Sequence, residues 1–171
     1  AEIDCPAGTD IHSETVYNKA VDNFNMFREK GWLQQENEPK YYIYAQTMDG
    51  RTQYGIVGCA ACEDYHNEII KKHELTRPEK EDDRMVLTRY TNANIEPVFF
   101  SYKAVPEIDN IVEEVVKNND PIYDFVADED GFGHHFWVVE KPETNQKLEQ
   151  LFKDKVPYTY VADGHHRTAA A

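Results

Sequence analysis

The sequence predicts an α+β domain: a mixed sheet with flanking helices. Three observations carry this. Short runs rich in Tyr, Val, Ile and Phe come in pairs around acidic Asp-Gly turns, the local signature of antiparallel hairpins. Longer runs with apolar residues three and four apart, two of them opening on proline, read as amphipathic helices. The two kinds alternate along the chain with no repeat, low-complexity tract or linker between them, so one domain over 1–171 is expected.

In order, Ser13 is placed to cap a helix running to about Lys30, with Val16, Ala20, Phe24 and Phe27 on one face and Gly31 at its stop. Strands Tyr41 to Thr47 and Gln53 to Cys59 follow, joined across Met48-Asp49-Gly50-Arg51. A short helix from about Glu63 to Lys72 places Tyr65 and Ile69 together, and the charged segment Lys71 to Arg84 leads into a helix ending near Thr91. Pro97 to Tyr102 is a strand. Pro106 opens the most periodic helix of the chain, carrying Ile108, Ile111, Val112, Val115 and Val116. Ile122 to Ala127 and His134 to Val139 flank Asp128-Glu129-Asp130-Gly131 as a second hairpin. Pro142 opens another helix with Leu148, Leu151 and Phe152 inward. The residues before Asp163, rich in Tyr, Thr and Val, form a last strand, and Thr168-Ala169-Ala170-Ala171 begins a helix.

Composition limits the function. With 40% hydrophobic residues, 11 Tyr and 8 Phe, the chain can bury a core. Its net charge of −14, from 32 acidic and 18 basic residues, is the wrong sign for DNA or an anionic membrane surface. No run approaches the length of a transmembrane helix. Three cysteines do not make a disulfide framework, and they point to the cytoplasm. Cys59-Ala60-Ala61-Cys62 has CxxC spacing but no second pair, and a strand ending in small residues explains it as well. The sequence lacks an initiator Met and stops one turn into its last helix, which predicts a piece of a longer protein.

Two segments carry chemistry. At Asp163-Gly164-His165-His166-Arg167-Thr168, a strand turns into a helix: Asp163 is placed to cap it and Gly164 to let a ligand approach the backbone. A helix start with His and Arg donors suits an anion such as a phosphate. The same residues also fit a solvated Asp-Gly turn. As a metal set they are incomplete, because adjacent helical residues do not face one another and further ligands must come from elsewhere. The second segment holds His73-Glu74 just before Pro78, with Arg77 and Arg84 bracketing the carboxylates, arranged for phosphate oxygens or for neighbouring Glu side chains. A solvated charged loop fits it too.

The strand–DGHHR–helix run resembles the nucleotide-binding motif of the ParB/sulfiredoxin superfamily, and His73-Glu74 followed by Pro78 resembles the acidic motif of its free-serine kinases. From Asp4-Cys5-Pro6-Ala7-Gly8-Thr9-Asp10 through Lys72-His73-Glu74-Leu75-Thr76-Arg77-Pro78 to DGHHR, the chain is similar to an uncharacterised bacterial and archaeal family related to those kinases. The resemblance implies a ParB/sulfiredoxin-like core with inserted hairpins and phosphoryl transfer from ADP or ATP, with Mg²⁺, to a small hydroxyl substrate such as serine. It implies Glu74 as the base with His73 beside it. Gly164, His165, His166, Arg167 and Thr168 would hold the phosphates, assisted by Arg77 and Arg84, with Asp163 toward Mg²⁺ or the helix cap. Such chemistry needs positioning and charge neutralisation more than covalent catalysis. Sulfiredoxins carry a cysteine where this chain has His165, so cysteine chemistry is not expected. ParB proteins carry basic residues and a DNA-binding domain, so chromosome partitioning is not expected either. A nucleotide-binding regulatory module without turnover, or an acidic interaction domain, remain as the other two readings. Oligomeric state is not legible.

Overall fold

The chain divides into two compact units, each with its own sheet, in a computed structural model that describes residues 2–171. The first comprises the chain up to Gln35, Cys62–Ser101 and Thr159–Ala171; the second comprises Glu36–Ala61 and Tyr102–Tyr158. The α+β class holds, with six α-helices among the described residues. In place of one mixed sheet there are two sheets.

In the second unit, β1 (Tyr42–Met48) and β2 (Arg51–Val57) form the expected hairpin. Asp49 and Gly50 both have positive φ, 51° and 75°, the two-residue turn whose twist matches the strands it joins. Next to β1 lies β6 (Gly133–Val138) and then β5 (Tyr123–Val126), giving an antiparallel order β2-β1-β6-β5. Strand alternation sorts the side chains. Ile43, Ala45, Trp137 and Val139 face the helices α4 (Pro106–Asn118) and α5 (Pro142–Lys155), meeting Val105, Ile108, Ile111, Val115 and Leu148 in one apolar core. On the opposite face Tyr42 stacks on Phe136 at 5.2 Å and Phe125 on His134 at 5.1 Å. Asn145 ties α5 to the sheet: its Oδ1 accepts the Tyr41 N–H at 2.7 Å and its Nδ2 donates to the Val139 carbonyl at 2.6 Å. Both prolines sit at the first helical position, where no N–H is needed.

In the first unit, α1 (Glu14–Glu29) follows Ser13 as expected. It ends in a double closure: the Gly31 N–H donates to Arg28 and the Trp32 N–H to Phe27, with Gly31 at φ 71°. That motif draws Phe27 onto Trp32 (5.2 Å) and leaves Phe27 exposed, so the buried stripe is Val16 and Tyr17 with Ala20 and Phe24 half-buried. The helix expected from Glu63 to Lys72 is much shorter. α2 spans Cys62–His66, Glu68 turns at φ 57°, and Ile70–Lys71 form strand β3. Ile70, not Ile69, is the buried residue. A partner strand overrides helical propensity here: β3 pairs parallel with β7 (Thr159–Asp163), Ile70 against Thr159 and Lys71 against Tyr160. β4 (Phe99–Tyr102) lies on the other side of β7. α3 (Pro78–Thr91) packs against both α1 and α6 (His165–Ala169).

The last helix starts at His165, three residues before the expected Thr168. Gly164 occupies the cap position at φ 90°, and Asp163 is the last residue of β7 rather than the cap. Cys59 and Cys62 are exposed thiols.

Candidate functional site

Parallel pairing of β3 and β7 brings the two candidate motifs together. Parallel strands point their C-terminal ends the same way, so the segments that follow them, 72–77 and 164–169, emerge at one edge of the sheet. His73 and Glu74 therefore meet His165. Glu74 Oε2 lies 3.5 Å from His165 Nδ1, and the His73 ring stands edge-on to the His165 ring at 4.5 Å between centroids. His73 Nε2 is 3.9 Å from Glu74 Oε1. His73 and Glu74 are exposed while His165 is buried at 7% exposure, so the cluster has a fixed imidazole at its base and two adjustable groups above.

The segment 72–77 is held at its far end too. Proline at 78 restricts the residue before it to extended backbone, and Arg77 sits at φ −95°, ψ 126°. The Arg77 N–H donates to His166 Nε2 at 3.2 Å, joining the two motifs a second time. The Thr76 hydroxyl donates to Glu81 in the first turn of α3. The Arg77 guanidinium points to Glu79 at 3.8 Å. Arg84 lies further along α3, exposed and beside Asp83, and takes no part in the His73–Glu74–His165 cluster.

Gly164 is required by its surroundings. Besides its positive φ, a Cβ there would meet Val98 Cγ1 at 2.9 Å and Arg167 Nη2 at 3.0 Å. Arg167 folds back over this glycine, its Nη1 donating to Glu96 and its Nη2 to Asp163, each at 2.9 Å. Its guanidinium is thus occupied by two carboxylates, and Asp163 is engaged there rather than at a helix cap. Thr168 is also committed: both its N–H and its hydroxyl donate to the Gly164 carbonyl, at 2.8 and 2.9 Å. No side chain caps α6, which leaves the first-turn N–H groups of His165, His166 and Arg167 without a side-chain acceptor. Of the residues expected at the site, His73, Glu74, Arg77, His165 and His166 come together. Asp163, Gly164, Arg167 and Thr168 build the turn beneath them.

Glu96 and Val98 are the participants that sequence reasoning missed. Nothing local marks them; Glu96 precedes Pro97 in an unremarkable stretch. A second polar cluster was equally hidden. Asp83 accepts from the Tyr17 hydroxyl at 2.7 Å and lies 2.8 Å from His12 Nδ1, pinning α3 to α1. Burial pushes the Tyr17 hydroxyl up, with Asp83 adding to it, to about 12. Burial works against the Asp83 carboxylate, but the Tyr17 hydroxyl and His12 outweigh it and hold Asp83 below the usual carboxylate range.

This combination defines an α+β protein with two sequence-distant polar motifs gathered at the end of a parallel strand pair. Over residues 1–171 the chain matches the family described as "Protein of unknown function (DUF1015)", and it belongs to that family. No curated protein and no solved structure matches the chain.

Proposed function

We propose that the chain is a nucleotide-dependent phosphotransferase of the free-serine-kinase type, with a ParB/sulfiredoxin-like core, moving a phosphoryl group from ADP or ATP to the hydroxyl of a small molecule such as serine. One observation carries this reading: Glu74 stands 3.5 Å from His165, so the carboxylate of the acidic motif and the DGHHR turn share one site despite their separation in sequence. In this reading the first turn of α6 and His166 would hold the phosphates, bound Mg²⁺ would supply charge neutralisation, and Glu74 would accept the hydroxyl proton as the phosphoryl group passes to that oxygen and AMP or ADP leaves. A loose transition state asks little of the base, so an exposed carboxylate serves. The occupied Arg167 shapes the turn, and would reach a phosphate only by releasing Glu96 or Asp163. The proposed location is the cytoplasm; among the described residues no helix is long and apolar enough to cross a membrane.

Calorimetry with ATP, ADP and CTP, with and without Mg²⁺, together with product analysis on serine and related alcohols, tests the reading. Saturable nucleotide binding with a phosphorylated alcohol as product is the expected result. Binding with no turnover on any alcohol would leave a regulatory nucleotide-binding module, and no binding at all would leave an interaction domain.

A further inference from the structure

His165 is a buried histidine whose two ring nitrogens differ in their surroundings. Its Nε2 is fully enclosed and has no hydrogen-bond partner. Its Nδ1 faces Glu74 Oε2 at 3.5 Å, too long for a good hydrogen bond to a carboxylate. Enclosing such a group is costly unless something pairs with it. A metal held with Glu74 would bind Nδ1, not the enclosed Nε2, so what carries the site is the cluster around Nδ1. His73, Glu74 and His165 each offer a ligand atom, and the three atoms lie within 4.8 Å of one another.

The geometry points to a divalent transition-metal site formed by His73, Glu74 and His165. Metal bonds of about 2.1 Å require ligand atoms roughly 3.0–3.5 Å apart, depending on coordination number. Glu74 Oε2 is already 3.5 Å from His165 Nδ1, its other oxygen Oε1 is 3.9 Å from His73 Nε2, and one ligand atom from each of the three residues lies within 4.8 Å of the others. The remaining adjustment falls on His73 and Glu74, whose side chains are 62% and 63% exposed and free to rotate, while the buried His165 serves as the fixed anchor. Two imidazoles and one carboxylate favour a borderline ion of the Zn²⁺ class over Mg²⁺ or Ca²⁺, which prefer all-oxygen ligands. Three protein ligands leave at least one position for water or substrate, the arrangement of a reactive rather than a closed structural site.

Sequence spacing alone does not reveal this set. His73 and Glu74 are adjacent and His165 lies in the other motif; the parallel β3–β7 pair unites them. The inference does not rest on the phosphotransferase reading. It touches that reading at Glu74, because a carboxylate bound to an ion is no longer a free base, and a hydroxyl would then be activated by coordination to the ion.

The experiment is a titration of the tag-free, nucleotide-free protein with Zn²⁺ by calorimetry and with Co²⁺ by its visible absorption, in millimolar Mg²⁺. One equivalent of each should bind, with Co²⁺ developing a ligand-field band that Zn²⁺ abolishes. The exposed substitutions His73→Ala and Glu74→Gln should each weaken binding about tenfold or more. His165→Ala should remove it, and because that residue is buried the two exposed variants keep the test independent of folding. No saturable binding, or binding unchanged in both exposed variants, overturns the site. Phosphotransfer assayed separately with Mg²⁺ alone distinguishes the two failures. Turnover without Zn²⁺ binding removes the metal site and leaves the kinase; Zn²⁺ binding without turnover under any condition does the reverse.

Discussion

The two units solve their packing in opposite ways. The second encloses an apolar core in which Ile43, Ile108 and Leu148 are completely buried, between an antiparallel sheet and two proline-initiated helices. The first buries polar groups among its apolar ones: Thr91, His165 and Thr168 are all enclosed, and α1 is pinned to α3 through Asp83. Apolar burial is non-directional and tolerates small shifts, whereas enclosed polar groups need particular partners. The first unit therefore holds its polar groups in defined places, and the second carries the simpler core.

Four predictions sharpen that contrast. The largest effect is expected at Glu74. Glu74→Gln keeps shape while removing the proton acceptor, and should lower phosphotransfer turnover by about 10²–10⁴-fold with thermal stability unchanged. Unchanged turnover would move the base to Glu79 or Asp82.

In the second unit the effect should fall on stability alone. Ile108→Ala is expected to cost about 2–5 kcal/mol in denaturant unfolding, through lost burial plus the cavity left behind. A cost below about 1 kcal/mol would show that this core is less tightly packed than the buried positions indicate.

Arg167→Ala probes whether the turn and the ligand site are separable. If Arg167 releases Glu96 or Asp163 to reach a phosphate, its loss should weaken nucleotide binding by roughly 1.5–3 kcal/mol. If Arg167 acts only as a clamp between Glu96 and Asp163, the unfolding midpoint drops instead and nucleotide affinity of the folded protein stays the same.

The smallest effect is a titration. Ultraviolet absorbance should show the Tyr17 phenolate forming near pH 12, above the ordinary value of about 10, and Asp83→Asn should bring it down. Because the folded state raises this pKa, Tyr17's contribution to stability is fully present below about pH 10 and is lost as pH rises through about 12. Asp83 has the opposite sign. Its lowered pKa stabilises the fold above the ordinary carboxylate range, and that contribution disappears as pH falls through the lowered value. A tyrosine titration with no late component would remove the Tyr17–Asp83 bond from the account.

Much of the second unit was legible in the sequence. Asp49-Gly50 is a turn because both residues must take positive φ, and Pro106 and Pro142 open helices because the first helical position needs no N–H. The first unit was less so. Residues 63–72 read as a helix by local pattern, but Ile70 and Lys71 became a strand because β7 was there to pair with. The start of α6 was misplaced by three residues for a related reason. Arg167 draws Asp163 away from a capping role, and Gly164 takes the cap position in a backbone conformation that other residues rarely adopt.

By itself, the sequence determined the class of fold, the hairpins and most helix boundaries, and it singled out the two polar segments, because turns, caps and apolar periodicity act over a few neighbouring residues. Only the tertiary structure decided that there are two sheets, that Arg167 is held by Glu96 and Asp163, and that Glu74 and His73 stand against a buried His165. These depend on the parallel pairing of strands far apart in the chain, whose contacts leave no local mark on either partner.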